Sequence, residues 1–76
     1  MKTLLERAKP ELKKAIEKHR QSFPLSVEVL ENELGKNIFV SDVPFHTILD
    51  IKGILRSNNF TCEDHQVWNY FTREEA

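Results

Sequence analysis

The sequence predicts an α+β domain of three helices followed by a C-terminal β-hairpin. Three observations predict it. Apolar residues recur at helical spacing over about 10–22, 26–34 and 43–57. Prolines and short polar residues stand where these segments begin: Pro10, Ser26 and Pro44. After Asn58-Asn59 the pattern changes to alternation, through Phe60 and Cys62 and then Trp68 and Tyr70.

The first helix is firm over 10–22. Leu12, Ala15, Ile16 and His19 fall on one side of the wheel, with Lys9, Lys13, Lys14, Lys18 and Arg20 around the rest. Pro10 fits a first turn, where its missing N–H costs nothing, and Glu11 suits the positive N-terminal end. Residues 3–9 are then a separate turn or a kinked, mobile extension.

A second helix is expected after FPLS. Ser26 would cap it, Leu25 and Leu30 would staple it, Val27, Leu30 and Leu34 would be its buried stripe, and Gly35 would end it in a left-handed conformation. Its outer face, Glu28, Glu31 and Glu33 with Asn32, is acidic.

Asn37-Ile38-Phe39-Val40 reads as a brief β-type run, either pairing with the hairpin or serving as a connector. Ser41 or Asp42 would cap a third helix over 43–57, with Pro44 in its first turn. Its apolar residues Phe45, Ile48, Leu49, Ile51, Ile54 and Leu55 cover more of the wheel than one core contact needs. Either the helix is central or part of it meets a partner. Gly53 would let another backbone come close. Asn58 and Asn59 suit a left-handed helix end.

In the hairpin, Asp64-His65 would form the turn. Phe60, Trp68 and Tyr70 would face the core, leaving Val67 and Phe71 on the outer face. The residues after Phe71, 72–76, read as a frayed tail.

The 76 residues make one small domain, 39% hydrophobic and 30% charged. A chain of this size buries only about 60% of its unfolded surface, so its margin of stability is thin. No run approaches the ~20 apolar residues of a membrane span. The opening MKTLLERAKPELKK lacks the apolar stretch of a secretory leader, so the sequon at Asn59 is read as chance. One cysteine, Cys62, precludes an internal disulfide and fits a reducing, cytoplasmic setting.

Charge is unevenly placed. Residues 1–22 carry seven Lys/Arg against three Glu, whereas 23–51 carry one Lys against five acids. Such runs are usually solvated faces, but the polarity also suits a charged partner.

In element order, helices followed by a hairpin, the chain loosely resembles a winged-helix domain. The resemblance covers most of the chain and rests on architecture alone. It implies a third helix in the DNA major groove and a hairpin against the backbone or minor groove. The residues argue otherwise. The most polar face of the third helix, with His46, Thr47, Asp50, Gly53 and Ser57, has no Lys or Arg, and the hairpin tip carries Glu63 and Asp64. Duplex binding draws its affinity from Lys and Arg on phosphates. The cations available for a nucleic-acid reading are Lys13, Lys14, Lys18, Arg20, Lys52 and Arg56.

Cys62-x-x-His65, with His46 or His19, supplies half of a zinc site and lacks the other pair. The same pair would need an activated thiolate, an oxyanion site and a cleft to act as a nucleophile. With two glycines, Gly35 and Gly53, no phosphate loop can be assembled. No cofactor, metal site or enzymatic activity is therefore expected. The expected function is regulation or adaptation by binding another protein or a second copy of the chain, through Phe45, Leu49, Ile54, Val67 and Phe71. The alternative is a winged-helix-like nucleic-acid-binding transcriptional regulator.

Overall fold

In the computed structural model, which describes residues 1–60 and 62–73, helices carry the fold. The α-helices are α1 (Leu4–Arg7), α2 (Pro10–Ser22), α3 (Pro24–Lys36) and α4 (Phe45–Ser57). Two 3-10 segments, η1 (Val40–Asp42) and η2 (Asp64–Tyr70), complete it. The α+β expectation is overturned: among the described residues there is no strand, and the only β-type pairing is an isolated antiparallel bridge between Ala8 and Phe71.

The helix starts follow from proline. Pro10 and Pro24 each stand at the first helical position. Pro24 also pushes Phe23 out of the helical region, to φ −136° and ψ 65°. That single residue breaks the backbone between α2 and α3, so α3 starts three residues earlier than a Ser26 cap would set it. Leu25 is left 76% exposed, so it forms no staple. Gly35 is not left-handed; α3 runs on to Lys36, and the side-chain amide of Asn37 donates to the Glu33 carbonyl at 3.0 Å. A Cβ on Gly35 would stand 3.9 Å from Leu5, which places α1 closely against α3.

Residues 3–9 are an ordered turn. Thr3 and Glu6 form a reciprocal capping box around α1, and Leu4 is 1% exposed. The end of α4 behaves as its asparagines suggest. Asn59 adopts φ 66°, and Phe60 N–H donates to the Leu55 carbonyl at 3.0 Å while Asn59 N–H donates to Arg56 at 3.0 Å. This is a Schellman closure with Asn in place of Gly.

The core lies between α2, α3 and α4. Leu12, Val27, Leu34, Ile51 and Leu55 are wholly buried in it. The polar face expected for the third helix is corrected at Thr47, which is 3% exposed.

The C-terminal segment departs furthest from expectation. Glu63 and Gln66 form a capping box, with Glu63 N–H donating to the Gln66 side chain at 2.9 Å. Residues 64–70 then wind as a 3-10 helix, whose side chains coincide every third residue. Val67 and Tyr70 thus share the inner face. Val67 is fully buried, Tyr70 is half-buried with its ring 6.0 Å from Phe60, and Trp68 is 55% exposed. Phe60 and Tyr70 pack against the core as expected, but Trp68, expected beside them, faces outward. Part of the expected tail, 74–76, and Thr61 of the expected strand lie outside the described residues.

The two ends of the chain are stitched together. Lys9 N–H donates to the Tyr70 carbonyl at 2.8 Å, and Thr72 N–H to the Arg7 carbonyl at 2.8 Å. The Arg7 guanidinium reaches the carbonyls of Lys2, Ile38 and Thr72.

Candidate functional site: the α3–α4 groove

Of the five residues expected to bind a protein, the structure exposes two. Phe45 is 64% and Leu49 43% exposed, one turn apart on the outer face of α4. Ile54 is 4% exposed and faces inward; Val67 and Phe71 are core residues, at 0% and 7%. The last two are corrected because the 3-10 winding turns Val67 inward and the bridge to Ala8 fixes Phe71 beneath the chain.

Beside Leu49 runs a groove of about 280 Å³ between α3 and α4. Leu30 and Ile54, both almost inaccessible, form its floor, and Ser26, Leu49, Asp50 and Gly53 stand along its sides. His19 closes one end and stacks on Phe23, with ring centroids 4.8 Å apart.

Gly53 is the informative member. It lies inside a helix, where glycine is about 1 kcal/mol less favourable than alanine. Its φ is not positive, and nothing lies within 4 Å of where a Cβ would sit. Neither backbone conformation nor packing within the chain requires glycine there. Its absent side chain serves only to open the groove wall.

The sequence reading took Leu25 for a staple and omitted Val29; the two are 76% and 66% exposed and one turn apart on α3. The signal was present: on a helical wheel they fall opposite Val27, Leu30 and Leu34.

Four of the six candidate basic residues, Lys13, Lys14, Lys18 and Arg20, line one depression on α2, whereas Lys52 and Arg56 lie apart on α4. Lys13, Lys14 and Lys18 are exposed on α2, with Glu17 among them. Arg20 is engaged at 2.7 Å by both Glu17 and Glu31, the second of which ties α2 to α3. Lys52 is paired with Asp64 at 2.8 Å, and its side chain is only 16% exposed. Arg56 is exposed on α4, on a different element from the α2 lysines.

Among the described residues no group of three or more His, Cys, Asp or Glu is placed to hold a metal ion. Cys62 is 1% exposed, while His65 is exposed beyond it. Burial pushes the Cys62 thiol above its ordinary pKa, against the pull of Lys52. A protonated, covered thiol is a packing group rather than a nucleophile. Two outcomes are expected. A disulfide reagent such as DTNB should modify Cys62 only as fast as the domain opens. Stability should also fall as pH rises above about 8.5, because the unfolded thiol releases its proton before the folded one does. Denaturant titrations at pH 7 and pH 10, repeated on Cys62→Ala, check the second.

No helix among the described residues is long and apolar enough to cross a membrane. Comparison of the chain with protein-family models, with curated proteins and with solved structures finds no match in any of the three.

Proposed function

We propose that this chain is a small non-enzymatic regulatory or adaptor protein that acts in the cytoplasm by binding another protein through the α3–α4 groove. One observation carries the reading: exposed Leu49 lines a groove that also holds buried Leu30 and Ile54, with exposed Phe45 one turn before it on α4. Exposed apolar surface beside a concavity is what a protein partner covers most readily. Catalysis lacks support, since the one thiol is buried and burial holds it above its ordinary pKa. Nucleic-acid binding has less support because Arg20 and Lys52 already hold carboxylates, which leaves three lysines on α2, with Glu17 among them, and Arg56 apart on α4.

The test has two arms. Leu49→Ser should keep the helical circular dichroism of the parent, at a cost of about 1 kcal/mol or less, because the side chain is already part-exposed. The same variant should lose the protein that the immobilised parent captures. Unfolding of Leu49→Ser would mean that Leu49 belongs to the core and that the groove is not a contact surface. The second arm is an anisotropy titration against duplex and single-stranded DNA. Affinity that persists at about 150 mM salt would replace this reading with a nucleic-acid one.

A further inference from the structure

We propose that the occupant of the groove is a second copy of this chain, joined through an antiparallel, two-fold pairing of α4 with α4. The inference rests on the protein-binding reading above and names its partner. It follows from the order of residues along one stripe of the helix. Phe45, Leu49 and Gly53 succeed one another at intervals of four, so a projecting side chain and a missing one lie one turn, about 6 Å, apart on the same face. A surface that carries a knob and its hole one turn apart is complementary to itself. A two-fold axis across α4 at the level of Ile51 sets Leu49 of each copy over Gly53 of the other. There it meets the floor made by Leu30 and Ile54. Isologous interfaces have this reciprocity.

The charges select the antiparallel arrangement. A parallel pair would set Leu49 against Leu49 and leave two holes empty at Gly53, with the helix dipoles aligned unfavourably. The antiparallel pair opposes the dipoles. It also brings exposed Arg56 of each copy toward exposed Phe45 of the other, as a cation over an aromatic face. One feature works against it: the two Asp50 carboxylates fall on the same flank. The contact is short, since α4 has 13 residues, so the dimer is weak and reversible. Asp50→Asn should tighten it.

Sedimentation velocity of the full chain from ~1 to ~500 µM is the first test, with a dissociation constant expected on the order of 10–100 µM. Gly53→Leu fills the hole. It should be monomeric throughout, while its melting temperature equals or exceeds the parent's because a helical glycine is removed. The double variant Leu49→Gly, Gly53→Leu exchanges knob and hole in both copies without changing the residue types in the helix. It should dimerise again, which a foreign partner's surface would not allow. Parent protein that stays monomeric at ~500 µM, or Gly53→Leu that dimerises like the parent, overturns the proposal. A monomeric parent that still captures a protein through Leu49 ends the self-pairing alone; loss of both ends the protein-binding reading as well.

Discussion

Phe71→Ala should abolish much of the stability of this domain, although only five residues follow Phe71 in the sequence. The ring is 7% exposed, and its backbone is bridged to Ala8. Truncation of a buried phenylalanine costs about 3–5 kcal/mol. A 76-residue chain has roughly 4–11 kcal/mol in total, at about 0.05–0.15 kcal/mol per residue. The variant should therefore melt about 12–40 °C lower, taking about 4–8 °C per kcal/mol for a domain of this size, or be unfolded at room temperature. Trp68→Ala is the control. It removes a larger ring from the same segment, but one that is 55% exposed, so it should cost about 1 kcal/mol or less. The order of the two effects separates the architectures. A hairpin with Trp68 and Tyr70 inside would make Trp68→Ala the damaging change and leave Phe71→Ala nearly silent. Urea denaturation followed by circular dichroism at 222 nm measures both.

That contrast also shows where the sequence was legible. The start of α2, the stripe Leu12–Ala15–Ile16 and the left-handed Asn59 each depend on a rule confined to a few neighbouring residues, whereas α4 starts at Phe45 after Pro44, and Ser41 and Asp42, expected to cap it, lie in η1. Such rules act before any tertiary contact and were readable. The start of α3 was also a local matter. The weight given to Ser26 as a cap hid the stronger constraint, the effect of Pro24 on the residue before it. Residues 62–71 were a different problem. Alternation of aromatic and polar residues over so short a span fits a period of two as well as a period of three. What decides between them is partly local, the Glu63–Gln66 box, and partly a bridge to Ala8 from the other end of the chain. An isolated two-stranded hairpin is marginal in water, so it had little to set against either.

The site divides in the same way. Surplus apolar surface on the third predicted helix was visible as an overfull wheel, and Phe45 and Leu49 are the surplus. Gly53 was read as a place of close approach, but nothing within the chain comes within 4 Å of where its Cβ would sit. Val67 and Phe71 went astray with the hairpin, because a change of period moves side chains from one face to another.

The second large effect is expected at Arg7, which no sequence pattern singles out. Its guanidinium donates from Nε to the Lys2 carbonyl at 3.3 Å, from one terminal nitrogen to the Thr72 carbonyl at 2.7 Å, and from the other to the Ile38 carbonyl. Three segments that share no helix, the N-terminal residues, the loop after α3 and the C-terminal segment, thus meet on one side chain. A hydrogen bond with one charged partner contributes about 1.5–3 kcal/mol net, less where water can replace it. Two of the three here are exposed, so Arg7→Ala should cost about 2–4 kcal/mol in all. The pattern of the loss is more telling than its size. Hydrogen exchange should speed up together at the amides of Leu4, which donates to Asn37, and Thr72, which donates to Arg7, while the amides inside α4 keep their protection. Arg7→Lys should recover less than half of the loss, because an ammonium on a flexible stem cannot direct donors at three separated carbonyls. A lysine variant as stable as the parent would mean that the positive charge, and not the fork, joins the ends. The planar group is what allows one residue to hold both ends against the α2–α4 core without a strand pair or a disulfide.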